Sequence, residues 1–250
     1  MTTINVLFIG QSNMRGGFGA TSGDNSIAPG ARFWNNSETA FGSAYRAGQW
    51  GRYPLDRTDD AGSSYSNHMA LAFGRDVTDV SGGPVRSVVI AKGGHCIEAF
   101  IRAATRTANG WAIPSGQSNL APYIYDADQG ARLACPPDGA FDVIIKHQGE
   151  ANSVNSEAVY AEKEAALIAD LEATGLKGPG TIYLSGVVHE AHAFYATHKA
   201  AVTAACAGAA RAFCVDSAGL ANLPASPLHF SGVGLSNYGR RFATKYLGAV

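Results

Sequence analysis

The segment that most constrains the fold of this chain lies near its start. An apolar run ends there at a glycine, and a serine follows two residues later. The run covers residues 6–9 and is bounded by Gly10. An unbroken apolar run with β-branched residues predicts a strand buried on both faces, as in a parallel sheet. Ser12 then follows the carboxyl end of that strand, where open α/β sheets bind their ligands. A serine here could also cap a helix, so its role depends on the rest of the chain.

Four further apolar runs alternate with segments of helical periodicity. We predict strands at 85–91, 143–145, 181–188 and 212–215. We predict helices near 66–77, 97–106, 156–174, 191–209 and 232–247. Such alternation gives a parallel sheet with helices on both faces. The sequence therefore predicts an α/β fold in three α/β/α layers with a five-stranded parallel sheet, in one domain over residues 1–250.

Two segments, at about 16–64 and 107–140, lack this periodicity and are predicted to be irregular insertions. They are rich in glycine, polar residues and aromatic residues. Long irregular segments are unusual in a compact domain and often functional. Their aromatic side chains either form a wall of a substrate site or pack into the body of the domain.

The charge balance excludes one class of partner. The chain has 19 basic and 20 acidic residues, a net charge of −1, and nucleic-acid binding requires a basic excess. No apolar run approaches the roughly 20 residues of a membrane span, and the first residues lack the features of a signal peptide. We therefore expect no nucleic acid or membrane partner and predict no secretion signal, while the compartment stays open. A larger assembly or a homo-oligomer is compatible with the sequence.

The four cysteines of the chain, Cys96, Cys135, Cys206 and Cys214, form no Cys-x-x-Cys pair. This spacing argues against a zinc ribbon or a redox motif. The sequence leaves open whether all four are free thiols or whether Cys206 and Cys214 form a bridge.

Nearly all the reactive side chains of the sequence directly follow a predicted strand. They are Ser12, His95, Gln148, Glu150, Asn152, His189 and Asp216. His229 follows a predicted loop that contains Pro224 and Pro227, just before the last helix. Because the carboxyl ends of parallel strands share one edge of the sheet, we expect these side chains to meet there. Such a coincidence favours a catalytic role for Ser12 over a capping role.

The residue types at this edge suit acyl transfer. A serine hydroxyl needs a base to become a nucleophile, and His229 is the candidate base for Ser12. A tetrahedral intermediate needs donors directed at its oxyanion. The backbone N–H groups of Ser12 and Gly94, with a side-chain amide from Gln148 or Asn152, are the candidate donors.

Four short segments occur in order along nearly the whole chain. They are Gly10-Gln11-Ser12-Asn13-Met14, Ala91-Lys92-Gly93-Gly94, His147-Gln148-Gly149-Glu150, and His229 with Gly234 and Gly239 after it. This set resembles the first, second, third and fifth blocks of the SGNH hydrolase superfamily, in the branch of sialate O-acetylesterases and carbohydrate esterase family 6. The resemblance implies a flavodoxin-like three-layer fold, no metal or other cofactor, and removal of acetyl groups from carbohydrates.

The sequence departs from that family at the expected acid. Relatives usually carry an aspartate three residues before the histidine, where this chain has Ser226. Our first candidate for orienting His229 is Glu150. The alternatives are a Ser12–His229 dyad whose ring is held by Ser226 or by a backbone carbonyl, and Asp216 reaching in from the fifth predicted strand.

The side chains next to these blocks are expected to bind the substrate. They are Gln11, Asn13, His95 and His189. His95 is a second departure, because relatives often have threonine there, and it is expected to lie beside the acyl pocket. A metal interpretation of His189 with its neighbours Glu190 and His192 is weak, since the His-Glu-x-x-His spacing is absent.

The sequence thus predicts a serine esterase that removes O-acetyl groups from an acetylated polysaccharide or sialic acid through a Ser-His acyl-enzyme mechanism. Two alternatives stay open. One is a weak or inactive carbohydrate-binding or structural module that has lost the acid, because fold alone does not fix function. The other is a short-chain aryl or lipid esterase.

Overall fold

A β-sheet forms the centre of the molecule. The computed structural model describes residues 2–16, 31–34, 50–51, 68–128, 130–135, 139–224 and 226–250. The strands of the sheet in these ranges are β1 (Ile4–Gly10), β2 (Arg32–Trp34), β3 (Trp50–Gly51), β4 (Val85–Ala91), β5 (Val143–His147), β6 (Ile182–Gly186) and β7 (Ala212–Val215). Their order across the sheet is β3-β2-β4-β1-β5-β6-β7.

The helices flank this sheet. They are α1 (Ser12–Arg15), α2 (Met69–Ser81), α3 (Ala103–Ala108), α4 (Ala121–Tyr125), α5 (Gly130–Ala134), α6 (Glu157–Ala173), α7 (Tyr195–Ala207) and α8 (Gly232–Leu247), with 3₁₀ turns at Ile97–Phe100 and Glu150–Asn152. Ser156 and Ser231 begin α6 and α8 by accepting hydrogen bonds from backbone N–H groups in the first turn, the usual use of serine at a helix start. Within the described ranges, no helix combines the length and the apolar composition that crossing a membrane requires.

The five predicted strands form the parallel core of the sheet, as the sequence predicts. β4, β1, β5, β6 and β7 run parallel, each hydrogen-bonded to the next. Their chain order is that of flavodoxin-like sheets, and β1 lies where the order reverses, which is where such sheets bind ligands. The residue after β1 is therefore well placed for chemistry.

Two short strands extend the sheet beyond this core. β2 pairs parallel with β4, and β3 pairs antiparallel with β2. Both come from the first predicted insertion, so part of that segment belongs to the sheet. The remainder of that insertion, with most of the aromatic residues considered as a substrate wall, lies outside the described residues.

The two faces of the sheet bury separate cores. Alternate side chains of β1 point to opposite faces: Leu7 and Ile9 pack with α6 and α7, whereas Val6 and Phe8 pack with α2 and α8. This is the three-layer α/β/α arrangement that the sequence predicts. One sheet contains strands from residue 4 to residue 215, which supports our proposal of a single domain.

Three further segments differ from the sequence-based expectation. The helix predicted at 97–106 is interrupted, because Asp170 of α6 accepts hydrogen bonds from Arg102 N (2.7 Å) and Thr105 Oγ1 (2.6 Å) and so begins a separate α3. The second predicted insertion contains α4 and α5 and is less irregular than expected.

All four cysteines are free.

The third difference concerns the segment that contains His229. The sequence predicts a loop with two prolines there, whereas the structure has an antiparallel hairpin of β8 (Asn222–Leu223) and β9 (Ser226–Phe230), separate from the main sheet. His229 therefore lies on a strand, directly before α8, and its neighbours have backbone groups available for hydrogen bonds.

Candidate active site

Ser12 lies where β1 ends and α1 begins. The preceding residue is tied to β5 by a 3.3 Å hydrogen bond from Gln11 N to His147 O. The turn after β4 packs against the serine, because a Cβ added to Gly93 would lie 3.7 Å from Ser12 Cβ. The next residue, Gly94, has a φ of +71°, a conformation that favours glycine, and no described atom lies within 4 Å of the position its Cβ would take.

His229 lies next to Ser12 although 217 positions separate them in the chain. Its Nε2 is 3.0 Å from Ser12 Oγ. Its Nδ1 is 3.0 Å from Ser226 Oγ. When Nε2 accepts the serine proton, Nδ1 has to carry the ring hydrogen, which then points at Ser226 Oγ. The structure therefore brings the predicted nucleophile and base together, with Ser226 at the position where the resemblance leads one to expect an acid.

Asn13 holds the strand that carries this histidine. Its Nδ2 donates to Leu228 O (2.8 Å), and its Oδ1 accepts from Phe230 N (3.1 Å). These two contacts lie on either side of His229. The third contact of the amide is Glu150, whose Oε1 accepts from the same Nδ2 over 2.7 Å. Asn13, predicted to bind substrate, thus has both of its amide protons used inside the protein.

Glu150 forms the centre of a buried polar cluster beside the nucleophile. Its side chain is 6% exposed and accepts hydrogen bonds from Gln11 Nε2 and Asn13 Nδ2. His147 Nε2 lies 3.3 Å from its Oε1. Burial alone would raise the pKa of Glu150, but the attraction to His147 and the hydrogen bond from Asn13 outweigh burial and lower this pKa to about 2. The carboxyl group is therefore ionised at neutral pH.

The described hydrogen bonds of Glu150 do not include one to His229, so the carboxylate does not touch the imidazole as the sequence analysis expected of a third triad member. It acts on the ring through its charge. Burial lowers the pKa of His229 below its ordinary value, the negative charge of Glu150 opposes that change, and the positive charge of Arg15 adds to it. A histidine with a lowered pKa is neutral at neutral pH, as a general base must be.

The two candidate amide donors are engaged elsewhere. Gln148 Nε2 donates to His95 O (3.1 Å) and to Asn152 Oδ1 (2.7 Å), which uses both of its protons. Asn152 Nδ2 donates to Glu98 Oε2 over 2.9 Å. Both residues are buried. Gln148 can donate to a substrate only by giving up one of these hydrogen bonds.

The backbone carbonyl group of Gln148 is held by three buried donors that were not predicted from the sequence. Lys146 Nζ (3.0 Å), the hydroxyl of Tyr160 (2.7 Å) and His198 Nε2 (2.9 Å) all contact Gln148 O. Gly149 fits here because a Cβ would overlap the ring of His198. A lysine within an apolar strand was the one available signal of this network, since a buried lysine requires a partner.

The ion-pair partner of Lys146 is equally buried. Lys146 Nζ lies 2.6 Å from Glu164 Oε2, and both side chains are 0% exposed. The other carboxylate oxygen of Glu164 accepts from the hydroxyl of Tyr183 over 2.8 Å. The pair connects β5, α6 and β6 directly beneath the segment that contains Gln148 and Glu150.

The other two predicted substrate contacts, His95 and His189, have partners inside the protein. Both ring nitrogens of His95 are used, Nδ1 with Gly93 O (2.9 Å) and Nε2 with Ser118 N (2.8 Å). Both ring nitrogens of His189 are used as well, with Ala191 N (3.0 Å) and Leu220 O (2.8 Å). His95 braces the glycine turn next to Ser12, and His189 supports the segment before the hairpin.

Asp216, the alternative candidate acid, does not contact His229. Its carboxylate accepts from the hydroxyl of Tyr195 (2.7 Å) and pairs with Lys199 Nζ (2.6 Å). This alternative acid therefore ties the end of β7 to α7. In the part of the chain that the structure describes, no group of three or more His, Cys, Asp or Glu side chains is arranged to hold a metal ion.

The sequence of the chain matches the model of one protein family. The sequence model of the family described as "Carbohydrate esterase, sialic acid-specific acetylesterase" matches residues 3–248. The chain belongs to this family. It is therefore a carboxylic ester hydrolase of the carbohydrate acetylesterase class, and the esterase family resembled by the short sequence segments is confirmed.

Solved structures share the fold of this esterase at low sequence identity. A protein from Arabidopsis thaliana is 18% identical with a TM-score of 0.72, and the match covers 98% of both chains. A carbohydrate acetylesterase from Xanthomonas citri is 16% identical with a TM-score of 0.61 over 97% of this chain and 55% of that one. NanS is 16% identical with a TM-score of 0.61 over 98% and 97%. No curated protein sequence matches the chain.

Proposed function

We propose that this esterase removes O-acetyl groups from a carbohydrate, an acetylated polysaccharide or sialic acid, by acyl transfer through Ser12. The observation that carries the proposal is the 3.0 Å contact between Ser12 Oγ and His229 Nε2 at the reversal point of the sheet. A serine is activated by an adjacent base within hydrogen-bond reach, and open α/β sheets bind ligands at this point.

The reaction proceeds in two acyl transfers. Ser12 Oγ attacks the acetyl carbonyl carbon while its proton passes to His229 Nε2. The tetrahedral intermediate collapses, the bond to the sugar oxygen breaks, and that oxygen takes the proton from His229. Water then attacks the acetyl-enzyme while His229 removes one of its protons. Collapse returns that proton to Ser12 and releases acetic acid, which ionises to acetate in solution.

The proposed oxyanion donors are the backbone N–H groups of Ser12 and Gly94. Neither N–H has an acceptor among the described residues. The Ser12 N–H also opens α1, so it lies at the positive end of a helical turn. Donors that are already in position when the charge develops are a major source of catalysis in acyl transfer.

Acetate release tests the proposal directly. We expect wild-type protein to release acetate from at least one of three substrates, an aryl acetate, acetylated xylan oligosaccharides and O-acetyl sialic acid, and the Ser12→Ala variant to release none above background. The preferred substrate identifies the sugar. Turnover that persists in Ser12→Ala contradicts the assignment of the nucleophile, and no turnover on any substrate contradicts the catalytic function.

The pH dependence follows from the lowered pKa of His229. The base is neutral above its pKa, so kcat/KM should rise with pH and reach a plateau, and burial moves this rise below the ordinary histidine value of about 6.5. We expect half-maximal kcat/KM below about pH 6.5. A rise centred above that value, or a profile without an acidic limb, would contradict His229 as the base.

A further inference from the structure

The turn after β4 contains the peptide group whose N–H is a proposed oxyanion donor. Gly93 and Gly94 are the two central residues of this turn. Glycine has no Cβ and adopts many backbone conformations, so the peptide between two glycines rotates easily. Turns of types I and II differ mainly by a rotation of this central peptide through about 150–170°. Such a rotation would turn the N–H of Gly94 to the opposite side, so the peptide needs an anchor.

His95 holds one side of this peptide group. Its Nδ1 lies 2.9 Å from Gly93 O, and its Nε2 accepts from the backbone N–H of Ser118 over 2.8 Å. A neutral imidazole has one donor nitrogen and one acceptor nitrogen. Because Nε2 accepts, Nδ1 carries the ring hydrogen and donates it to Gly93 O. The two backbone partners thus fix the tautomer of the ring.

The bond to Gly93 O also sets the direction of the Gly94 N–H. The peptide between the two glycines is trans, and in a planar trans peptide the C=O and N–H bonds point to opposite sides. Holding the carbonyl oxygen toward the ring of His95 therefore holds the N–H away from that ring. The turn packs against the nucleophile, since a Cβ added to Gly93 would lie 3.7 Å from Ser12 Cβ. The peptide thus lies beside Ser12 in one defined orientation.

The second predicted insertion anchors this histidine. Besides the bond to the ring, residues 117–120 make three contacts around the turn. They are Gln117 Oε1 with Cys96 N (2.8 Å), Ser118 Oγ with Lys92 Nζ (2.7 Å) and Leu120 N with Ala99 O (2.8 Å). His95 is buried, and a buried hydrogen bond is stronger than one exposed to water. The insertion therefore holds both ends of the turn, and the ring transmits this restraint to the peptide between the glycines.

We infer that His95 is a positioning residue that aims the N–H of Gly94 at the oxyanion, with residues 117–120 as its anchor. The Ser118 N–H, the imidazole ring and the peptide between the glycines form one chain of hydrogen bonds. Each bond in such a chain polarises the next, so the same arrangement makes the Gly94 N–H a stronger donor. The inference rests on the proposed function, because it requires Gly94 to bind the oxyanion.

Two amide variants separate the two contacts of the ring. The side-chain nitrogen of asparagine is as many bonds from Cα as Nδ1 is, whereas the amide of glutamine extends as far as Nε2. His95→Asn therefore keeps a donor for Gly93 O and loses the contact with Ser118. His95→Gln keeps an acceptor for Ser118 N and loses the donor to Gly93 O. Because both variants remove the ring, a role in packing alone predicts similar losses in the two.

Steady-state acetate release on the substrate that wild type prefers is the first measurement. Removal of one oxyanion donor costs about 10²–10³ in kcat. A misdirected donor should cost less, so we expect His95→Gln to lose about ten- to a hundredfold in kcat, and His95→Asn to keep most of it. KM should change little, since the oxyanion develops only in the transition state. His192→Gln, which removes another histidine whose Nδ1 contacts the backbone two residues away, is the matched control and should behave as wild type.

Inhibition by a trifluoromethyl ketone measures binding of the oxyanion itself. Ser12 Oγ adds to the ketone carbon, its proton passes to His229, and the ketone oxygen becomes the oxyanion of a tetrahedral adduct. The inhibition constant of His95→Gln should rise by the same factor as its kcat/KM falls, because both depend on the stabilisation of this charge. His95→Asn should bind the ketone nearly as tightly as wild type. A thermal melt of each variant establishes that it is folded.

NMR of the wild-type protein decides if His95→Gln does not fold. A scalar coupling across the hydrogen bond should connect Nδ1 of His95 to the carbonyl carbon of Gly93. The amide proton of Gly94 should shift downfield when the ketone adduct forms, because the N–H then donates to a negative charge. Absence of the coupling or of the shift would contradict the inference.

Three kinetic results would also overturn it. The first is a wild-type kcat in His95→Gln. The second is a loss in His95→Asn equal to or greater than the loss in His95→Gln, as expected of a role in packing. The third is an unchanged inhibition constant for the ketone in a His95→Gln variant with reduced kcat. Failure of the proposed function is distinguishable, because wild type would then neither release acetate nor form the adduct.

Discussion

A His229→Gln variant is expected to lose about five to six orders of magnitude in kcat, as serine hydrolases do when the base is removed. This loss of kcat follows from the 3.0 Å contact between His229 Nε2 and Ser12 Oγ. A glutamine amide cannot take up the serine proton and return it to the leaving sugar oxygen. The steady-state rate of acetate release checks the expectation, with a thermal melt to establish that the variant is folded.

Two further measurements show whether the loss is due to the missing base. The Ser12→Ala/His229→Gln double variant should be no slower than either single variant, because the two residues act as a unit. Free imidazole added to a His229→Ala variant should restore part of the activity. Activity of His229→Gln within tenfold of wild type, or multiplicative losses in the double variant, would contradict the mechanism.

The second large effect concerns stability. Lys146→Met removes one partner of an ion pair in which both side chains are 0% exposed and the charged atoms lie 2.6 Å apart. Glu164 is then left as a buried charge, and breaking a buried pair in this way costs about 3–5 kcal/mol. The free energy of unfolding, measured by urea titration, should fall by that amount.

A double variant and a surface control separate this effect from lost packing. Lys146→Met/Glu164→Leu removes both charges and should regain most of the lost stability, because apolar replacements of a buried pair are often neutral. The control is Lys199→Met, whose pair with Asp216 is exposed and contributes little. A loss in Lys146→Met no greater than in this control, or no recovery in the double variant, is the opposite of what we expect.

The sequence predicted those parts of the fold that depend on local patterns. Apolar runs located the five core strands, and 3.6-residue periodicity located the long helices. β2 and β3 were not predictable because each is only three or two residues long and depends on pairing with the edge of the sheet. The hairpin that carries His229 was not predicted, because its two prolines usually indicate a loop.

At the site, the residue types were predictable but their partners were not. Ser12 and His229 follow from position and chemistry. Gln11 and Asn13, predicted to bind substrate, donate hydrogen bonds to Glu150. No sequence rule distinguishes an amide that faces a ligand from one that faces a buried carboxylate, because the difference depends on contacts between residues more than 130 positions apart. Ser226 was recognisable only as an exception to the family pattern.

The distance along the chain between nucleophile and base also has a consequence for folding. The contact between Ser12 and His229 joins residues 217 positions apart, and it depends on a hairpin outside the main sheet. Contacts of such long sequence separation have a large loop-closure entropy cost and slow folding. A refolding chain can therefore contain most of its sheet and helices and still be inactive, so recovered esterase activity reports completion of the native topology, whereas circular dichroism reports the earlier formation of its elements.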